Sequence, residues 1–505
     1  MAEAIRLRIE TRESPANALL KLFSQTSHYA AGNILAMVGG FISLPILTRV
    51  LSTAEYGILS LVSTTIWIAL ALAKGGLQES AVRFYVEFKS GARSQELSIF
   101  YTTLLLGSLF LGVITAGIVF GIGNIFYANT YEARSHNLAL VVAGMVVSGA
   151  LFMRLSNFLR AEQETKTYNL FVVLQRYTIL ALGLSFLYYF KDPLKGFLAG
   201  SFFGEALIVA ILIFILIRQG KFRWGRFSSA FFKKCLWFGI PFVGFELANY
   251  LLKIVDRYLI QYFLNLEGVG IYSLAYNLCS YVNDALFLAA WYAVYPIYIE
   301  LWQSHGREAT AKFLSNVSIY IFLISIPLIV GFSVLSREVI LILASEKYIA
   351  ATKFLPYLLG GMVFWGFIPI YGAGIYIYKK TKALAALTFA ALLLNIGLNL
   401  FLIPRMHLHG AALATLLSYA FLIVAVIRYA FRYLKFSIDY RVLAEAIFAS
   451  LVMYVVLASM SSWSGLSTLL PKMLIGTVTY ALIILAMNRK LRTLARDIIN
   501  KRSFL

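Results

Sequence analysis

Long apolar stretches alternate with short polar segments along most of the chain. Fourteen apolar stretches can be marked off between residues 28 and 487, and each has roughly the 20 residues that an α-helix needs to cross ~30 Å of hydrocarbon. The longest polar segment on the predicted outer side, residues 336–353, is too short to hold a folded soluble domain. The pattern therefore predicts an all-α, polytopic membrane protein with about 14 transmembrane helices.

Composition supports the same class and accounts for the positive charge. Hydrophobic residues make up 60% of the 505 positions and charged residues only 13%, whereas soluble domains carry about 25% charged residues. With both termini in the cytoplasm, the inner segments hold 31 Lys and Arg and the outer segments hold nine. This excess predicts a multi-pass protein with both termini in the cytoplasm, N-in and C-in. The net charge of +21 is thus assigned to orientation and to membrane lipid headgroups, and nucleic acid is not an expected partner.

Sequence landmarks recur at a spacing of about 213 residues. The clearest pair is Gly57-Ile-Leu-Ser-Leu and Gly270-Ile-Tyr-Ser-Leu, and the loops at Thr165-Lys166 and Thr381-Lys382 follow at nearly the same spacing. Equivalent spans keep one orientation, so the repeat is parallel and predicts two six-helix lobes. The predicted parts are a cytoplasmic N-terminal segment 1–27, an N-lobe 28–218, a basic cytoplasmic linker 219–234, a C-lobe 235–430, two further helices within 431–487, and a basic cytoplasmic tail 488–505.

The seventh and eighth predicted spans each carry polar residues on one face. Ionisable groups at membrane depth usually face a bundle interior or a water-filled cavity, because exposure to lipid is costly. At 100° per residue the side chains of the seventh span fall within an arc of about 100°, and those of the eighth cluster similarly. The seventh span contributes Glu246, Asn249, Lys253, Asp256 and Arg257, and the eighth contributes Asn277, Ser280 and Asp284. Two interpretations remain open: a water-lined cavity, or mutual neutralisation of Lys253, Asp256 and Arg257.

Three further ionisable residues lie inside predicted spans of the first half. Arg154 and Arg176 have side chains long enough to reach the cytoplasmic headgroups, or they face the same cavity. Glu205 has no cationic partner in its own span. It is either a protonatable coupling group or a hydrogen-bonded packing group.

Several motifs resemble those of a known family. Leu44-Pro45-Ile46-Leu47-Thr48-Arg49 with Glu55-Tyr56-Gly57, and Phe238-Gly239-Ile240-Pro241 with Asp256-Arg257, resemble the lobe-opening signatures of polysaccharide transporters. These are the Wzx-type O-antigen and exopolysaccharide flippases of the MOP (MATE-like) superfamily. The resemblance implies two six-helix lobes that alternate between inward and outward openings. It also implies a cationic substrate-binding cavity, carried here by Arg49, Arg154, Arg176, Lys253 and Arg257, of which only Arg49 and Arg257 lie in matching motifs.

The resemblance implies a flippase rather than an enzyme. Its cargo would be a polyprenyl-diphosphate-linked oligosaccharide for surface polysaccharide, and its pathway partners a polymerase and glycosyltransferases. Arg suits the diphosphate because its planar fork binds two oxygens at once. No cofactor is expected, and a proton or sodium gradient would act through Asp256, Glu205 or Glu246. The alternatives are a MATE-like drug or organic-cation exporter and, less favoured, a membrane polysaccharide polymerase or ligase.

Overall fold

The computed structural model describes residues 35, 38–90, 94–128, 135–460, 463, 468–488 and 491–492. Every regular element in these ranges is helical. The predicted segment 1–27 and most of the predicted tail 488–505 lie outside the described residues. The α-helices are α1 Val38–Val50, α2 Thr53–Lys74, α3 Leu77–Ser90, α4 Ser94–Ala128, α5 Ser135–Ala161, α6 Thr165–Tyr189, α7 Pro193–Arg218, α8 Ser229–Phe263, α9 Leu266–Ser304, α10 Gly306–Val334, α11 Ser336–Leu343, α12 Leu355–Tyr371, α13 Ala373–Ile377, α14 Thr381–Ala430, α15 Tyr440–Ser459 and α16 Leu469–Met487.

The described helices confirm the polytopic all-α class. Ten candidate spans are long and apolar enough to cross a membrane, and the bent pair formed by the 3₁₀ helix Glu346–Lys353 and α12 makes an eleventh. One of the ten, α14, is two helical segments joined at His407, whose φ is 53°. The count of fourteen spans stays a prediction.

The second span differs from the sequence-based boundary. That boundary ends the span at Lys74, but a two-glycine break at Gly75 and Gly76 is followed directly by α3. Both glycines have positive φ, 52° and 67°, a conformation that costs glycine little. The candidate span runs from Thr53 to Phe88, so Lys74 lies inside it rather than at its end.

The chain divides into two compact units. Among the described residues, the first unit takes residues 35, 38–43 and Leu61–Leu251, and the second takes Leu44–Ser60 and the residues from Leu252 onward. The first has an aromatic core that includes Phe84, Phe100 and Phe158. The predicted lobe, linker and terminal boundaries stay a prediction.

Repeat-related helices pack against each other within the second unit. A Cβ on Gly57 of α2 would lie 2.2 Å from the Leu266 carbonyl oxygen, and a Cβ on Gly270 of α9 would lie 2.0 Å from that of Thr53. Thr53 and Leu266 hold equivalent positions in the repeat, as Gly57 and Gly270 do. Close to this contact the Ser60 hydroxyl donates to that of Ser273 at 2.7 Å. The pairing is reciprocal, as expected for a pseudo-twofold contact, and it explains why both motifs carry glycine.

A second glycine contact fixes the start of α8 within the first unit. A Cβ on Gly239 would lie 2.4 Å from backbone atoms of Gly76, so the two backbones touch. The Ser80 hydroxyl donates to the Cys235 carbonyl at 2.7 Å beside them. The glycine of the Phe238-Gly239-Ile240-Pro241 motif therefore permits α8 to pack on the α2–α3 break.

Candidate functional site

Arg257 is the most deeply buried cation of the predicted polar face. Its side chain in α8 is 4% exposed, and its guanidinium carbon lies 4.2 Å from the centroid of the Tyr276 ring. One terminal nitrogen donates to the Lys253 carbonyl at 2.8 Å. Its Nε is buried and has no hydrogen-bond partner in the described part of the chain. A buried donor without a partner is costly, so this nitrogen is a candidate contact for an anionic ligand.

Asp256 forms an ion pair with Arg257. The nearest approach of the two side chains is 3.6 Å. One carboxylate oxygen accepts the Arg257 backbone N–H at 2.8 Å, and the other accepts the Tyr272 hydroxyl. The Tyr272 hydroxyl also lies 3.2 Å from that of Thr415. Asp256 therefore contacts Tyr272 and the backbone as well as Arg257, and both interpretations of this polar face, a water-lined cavity and mutual neutralisation, stay open.

Lys253 lies against an aromatic ring rather than a carboxylate. Its ammonium is 4.7 Å from the Trp365 ring centroid, a favourable cation–π distance. Among the described residues it forms no ion pair within 4.0 Å, although the Asp284 carboxylate attracts it electrostatically. The second unit therefore brings together two cations, two carboxylates and the rings of Tyr276 and Trp365.

The remaining polar residues of this face are bound in different ways. Asn277 donates to the Tyr56 hydroxyl at 3.0 Å, and Asn249 donates to the Phe245 carbonyl of its own helix at 2.8 Å. Asp284 accepts from Asn283 at 3.4 Å, and Ser280 is half-buried.

Glu246 belongs to a separate cluster in the first unit. Its carboxylate pairs with Lys74 of α2 at 2.5 Å. Next to this pair Trp67 stacks on Tyr250, with ring centroids 5.9 Å apart and an angle of 24° between the planes. The sequence-based site contained Glu246 but neither Lys74 nor Trp67. The position of Lys74 beside Gly75-Gly76 could have indicated a charged residue inside the membrane, but the sequence analysis placed Lys74 at the end of the span.

Glu205 lies in the first unit without a cation. Its side chain in α7 is 8% exposed, and it accepts hydrogen bonds from Ser148 at 2.6 Å and from Gln175 at 3.0 Å. No Lys or Arg of the described ranges forms an ion pair with it. Both of its predicted roles, a protonatable group and a hydrogen-bonded packing group, are compatible with these contacts.

The three other predicted cations have distinct surroundings. Arg154 is 3% exposed and donates to the Ser108 hydroxyl at 2.7 Å and the Leu77 carbonyl at 2.9 Å, so it points into the first unit rather than reaching the headgroups. Arg176 is half-buried and lies beside α1, where a Cβ on Gly39 would be 3.2 Å from its Cγ.

Arg49 lies outside the cluster around Arg257. Its side chain is exposed and donates to the Ile342 carbonyl at 2.7 Å, in the last turn of α11. In return the Arg49 carbonyl accepts Lys347 at 3.4 Å and the Thr48 carbonyl accepts Ser345 at 3.4 Å. The ends of α1 and α11 therefore satisfy each other's unpaired carbonyls.

The described helices and their buried polar clusters define a polytopic, all-helical membrane protein. The chain resembles the inward closed conformation of the lipid II flippase MurJ with a TM-score of 0.73, over 93% of this chain and 99% of MurJ at 17% identity. It also resembles an inward-facing multidrug resistance MATE transporter of the MOP superfamily with a TM-score of 0.62, over 85% of this chain and 96% of that one at 14% identity. At these low identities the two TM-scores establish the fold alone.

The family follows from the sequence match. Residues 22–302 match the polysaccharide biosynthesis protein family, and the chain belongs to this family, as its motifs predicted. Agl15 of Haloferax volcanii, named as a low-salt glycan biosynthesis flippase, is 24% identical over 226 residues, which are 45% of this chain and 48% of Agl15. The match thus spans about half the length of that relative. Lsg locus protein 1 of Haemophilus influenzae is 24% identical over 360 residues, 67% of this chain and 84% of its own length.

Proposed function

We propose that the protein is a flippase that carries a polyprenyl-diphosphate-linked oligosaccharide across the cytoplasmic membrane for surface polysaccharide such as O-antigen, capsule or exopolysaccharide. The observation that carries the proposal is Arg257, a buried guanidinium stacked on Tyr276 with an unpartnered Nε. A diphosphate cannot cross hydrocarbon unaided, and a buried guanidinium supplies the charge and the paired donors that it needs. The family match and the flippase relatives support the same cargo class.

The diphosphate docks on Arg257 and Lys253 in this mechanism. The two residues are four positions apart on α8, so their side chains share one helix face. Arg257 has the Asp256 carboxylate beside it at 3.6 Å, and Lys253 forms no ion pair within 4.0 Å in the described chain, so the pair of cations has one close carboxylate. Asp256 accepts the Arg257 backbone N–H and the Tyr272 hydroxyl, and the unpartnered Nε of Arg257 is the donor that this mechanism assigns to a phosphate oxygen. The chain needs no catalytic group or cofactor for this step, and the protein acts as a transporter rather than an enzyme.

The first test replaces the docking arginine. Arg257→Ala is expected to abolish most transport in a flippase-deficient strain, because removing one partner of a buried charged contact costs several kcal/mol. Radiolabelled lipid-linked oligosaccharide on the two membrane faces is the measurement. Arg307→Ala, which removes an exposed arginine of the same unit, is the matched control. Full transport by Arg257→Ala at normal membrane abundance would overturn the docking role, and cation efflux by a wild type that restores no glycan would favour the exporter.

Energy coupling belongs to the same proposal. Glu246 is held by Lys74 and Asp256 by Tyr272 and the backbone, whereas Glu205 has only neutral partners in the described part of the first unit. A carboxyl group with neutral partners changes its charge without breaking an ion pair. We therefore place proton or sodium coupling at Glu205 first and at Asp256 second.

Location and partners complete the proposal. The Lys and Arg distribution supports the cytoplasmic (inner) membrane with both termini in the cytoplasm. The cargo is made by glycosyltransferases on one face and consumed by a polymerase on the other, so these enzymes are the expected pathway partners.

A further inference from the structure

A compact aromatic and charged cluster in the first unit lies outside the diphosphate site. Trp67 and Lys74 come from α2, and Glu246 and Tyr250 come from α8. Trp67 stacks on Tyr250 with ring centroids 5.9 Å apart, and Lys74 pairs with Glu246 at 2.5 Å. The Lys74 ammonium also lies 5.9 Å from the Tyr250 ring centroid. We call these four residues the Trp67 platform.

The spacing of the four residues explains why they meet. Trp67 and Lys74 are seven positions apart, close to two full turns, and Glu246 and Tyr250 are four apart, about one turn. Each pair therefore presents one face of its helix. The two faces meet where the glycine contact between Gly76 and Gly239 brings the α2–α3 break and α8 together.

The exposed side of the platform must be wet. The Trp67 side chain is 46% exposed and that of Glu246 is 32% exposed, although both lie within candidate membrane spans. A charged pair that faced hydrocarbon would be costly, so a partly open Lys–Glu pair at this depth indicates water-filled space. Trp67 is joined to this pair through Tyr250, which stacks on Trp67 and lies 5.9 Å from the Lys74 ammonium.

An open aromatic face next to a carboxylate and an ammonium matches the chemistry of a sugar ring. A pyranose has an apolar C–H face, which packs flat on an aromatic ring, and hydroxyl groups at its edge, which hydrogen-bond to charged groups. We propose that the Trp67 platform binds a sugar of the cargo, with Trp67 under the ring and Glu246, which the buried Lys74 holds in place, at its hydroxyls.

This inference rests on the proposed flippase function and adds a sugar-recognition site to it. The diphosphate and the glycan are then recognised by different residues, and the two contributions can be separated. Trp67 should act only on lipids that carry sugar, whereas Arg257 should act on every lipid that carries the diphosphate.

The experiment compares two probes on the purified full-length protein in phospholipid vesicles. The probes are polyprenyl diphosphate bearing the strain's own oligosaccharide and polyprenyl diphosphate without sugar. The variants are Trp67→Ala, Trp67→Leu, which keeps apolar bulk but removes the aromatic face, and Trp67→Phe, which keeps a ring. Trp237→Ala, which removes a tryptophan of α8 that is 82% exposed, is the matched control.

Trp67→Ala and Trp67→Leu are expected to weaken binding of the sugar-bearing lipid about tenfold and to leave the sugar-free lipid within about twofold of wild type. Trp67→Phe and Trp237→Ala should stay near wild type for both probes. Equal weakening of both probes, or unchanged binding of the sugar-bearing lipid by Trp67→Leu, would overturn the sugar site. If the wild type binds neither probe, the flippase function itself fails, which is a different result from loss of sugar preference alone.

Discussion

At the scale of single residues, the decisive feature is how each buried charge is compensated. The Asp256 oxygens accept hydrogen bonds from Tyr272 and from a backbone N–H. The Nε of Arg257 has no hydrogen-bond partner among the described residues. Glu246 has the opposite arrangement and is held in a short ion pair with Lys74. A buried pair is weak evidence for stability by itself. The difference between the two carboxylates therefore bears on function. Arg257 retains a donor without a partner, whereas the Lys74 ammonium is paired with Glu246.

Glu205 yields the prediction that belongs to this scale. Glu205→Gln keeps the shape and the neutral hydrogen-bond partners Ser148 and Gln175 but cannot change its charge. If this carboxyl couples transport to an ion gradient, the variant should lose most of the stimulation by the gradient, about tenfold for a coupling of ordinary size. The measurement is the initial rate of glycan-lipid export with and without a protonophore or a sodium gradient.

The control for Glu205→Gln is Glu300→Gln, which changes an exposed carboxylate of α9. That variant should respond to the gradient as the wild type does. The same gradient dependence in Glu205→Gln and wild type would exclude Glu205 as the coupling group and leave Asp256 as the next candidate.

Sequence patterns identified single residues better than pairs of residues. Helical periodicity placed Lys253 and Arg257 on one face, and the structure brings both beside aromatic rings. The pattern could not supply the partner of Glu246, because Lys74 is 172 positions away in the chain and only tertiary packing joins them. The sequence analysis also did not identify Trp67 and Trp365 as site residues. A tryptophan inside an apolar span does not change the hydrophobic pattern, so only tertiary packing shows its neighbours.

At the scale of elements, backbone contacts between helices depend on glycine. Gly57 of α2 and Gly270 of α9 each face a backbone carbonyl of the other helix, and an added methyl group would come within 2.2 and 2.0 Å of it. Backbone cannot rotate away as a side chain can. Any side chain at either position must therefore push the two helices apart.

Gly57→Ala and Gly270→Ala are each expected to destabilise the protein by about 1–3 kcal/mol, the usual cost of overpacking. Thermal unfolding of the detergent-purified protein is the measurement. The double variant should lose less than the sum of the single variants, because one separation of α2 and α9 makes room for both methyl groups.

Gly117→Ala is the matched control for these two variants, since a Cβ at Gly117 of α4 would meet nothing within 4 Å. It should be neutral or slightly stabilising, because alanine favours helix. Wild-type thermal stability of both Gly57→Ala and Gly270→Ala would contradict the reciprocal contact.

At the scale of the whole molecule, length and apolarity identified the class because the bilayer fixes the length of each span. Length and apolarity were less informative about interruptions of a helix within a span. The Gly75-Gly76 pair is a turn signal, and it does interrupt the helix. The next helix, α3, nevertheless follows directly within the same candidate span, and the break packs against Gly239. The orientation of the spans rests on charge alone and needs its own test.

Cysteine labelling on intact cells tests that orientation. The native Cys235 and Cys279 are free and buried, so background reaction should be low. Lys191→Cys introduces an exposed thiol between α6 and α7, and Trp224→Cys introduces one between α7 and α8. A single span separates the two positions. With both termini in the cytoplasm, a membrane-impermeant thiol reagent should label Lys191→Cys at once and Trp224→Cys only after permeabilisation. The reverse labelling pattern would show that the protein has the opposite orientation in the membrane. The proposed direction of transport relative to the two lobes would then be reversed as well.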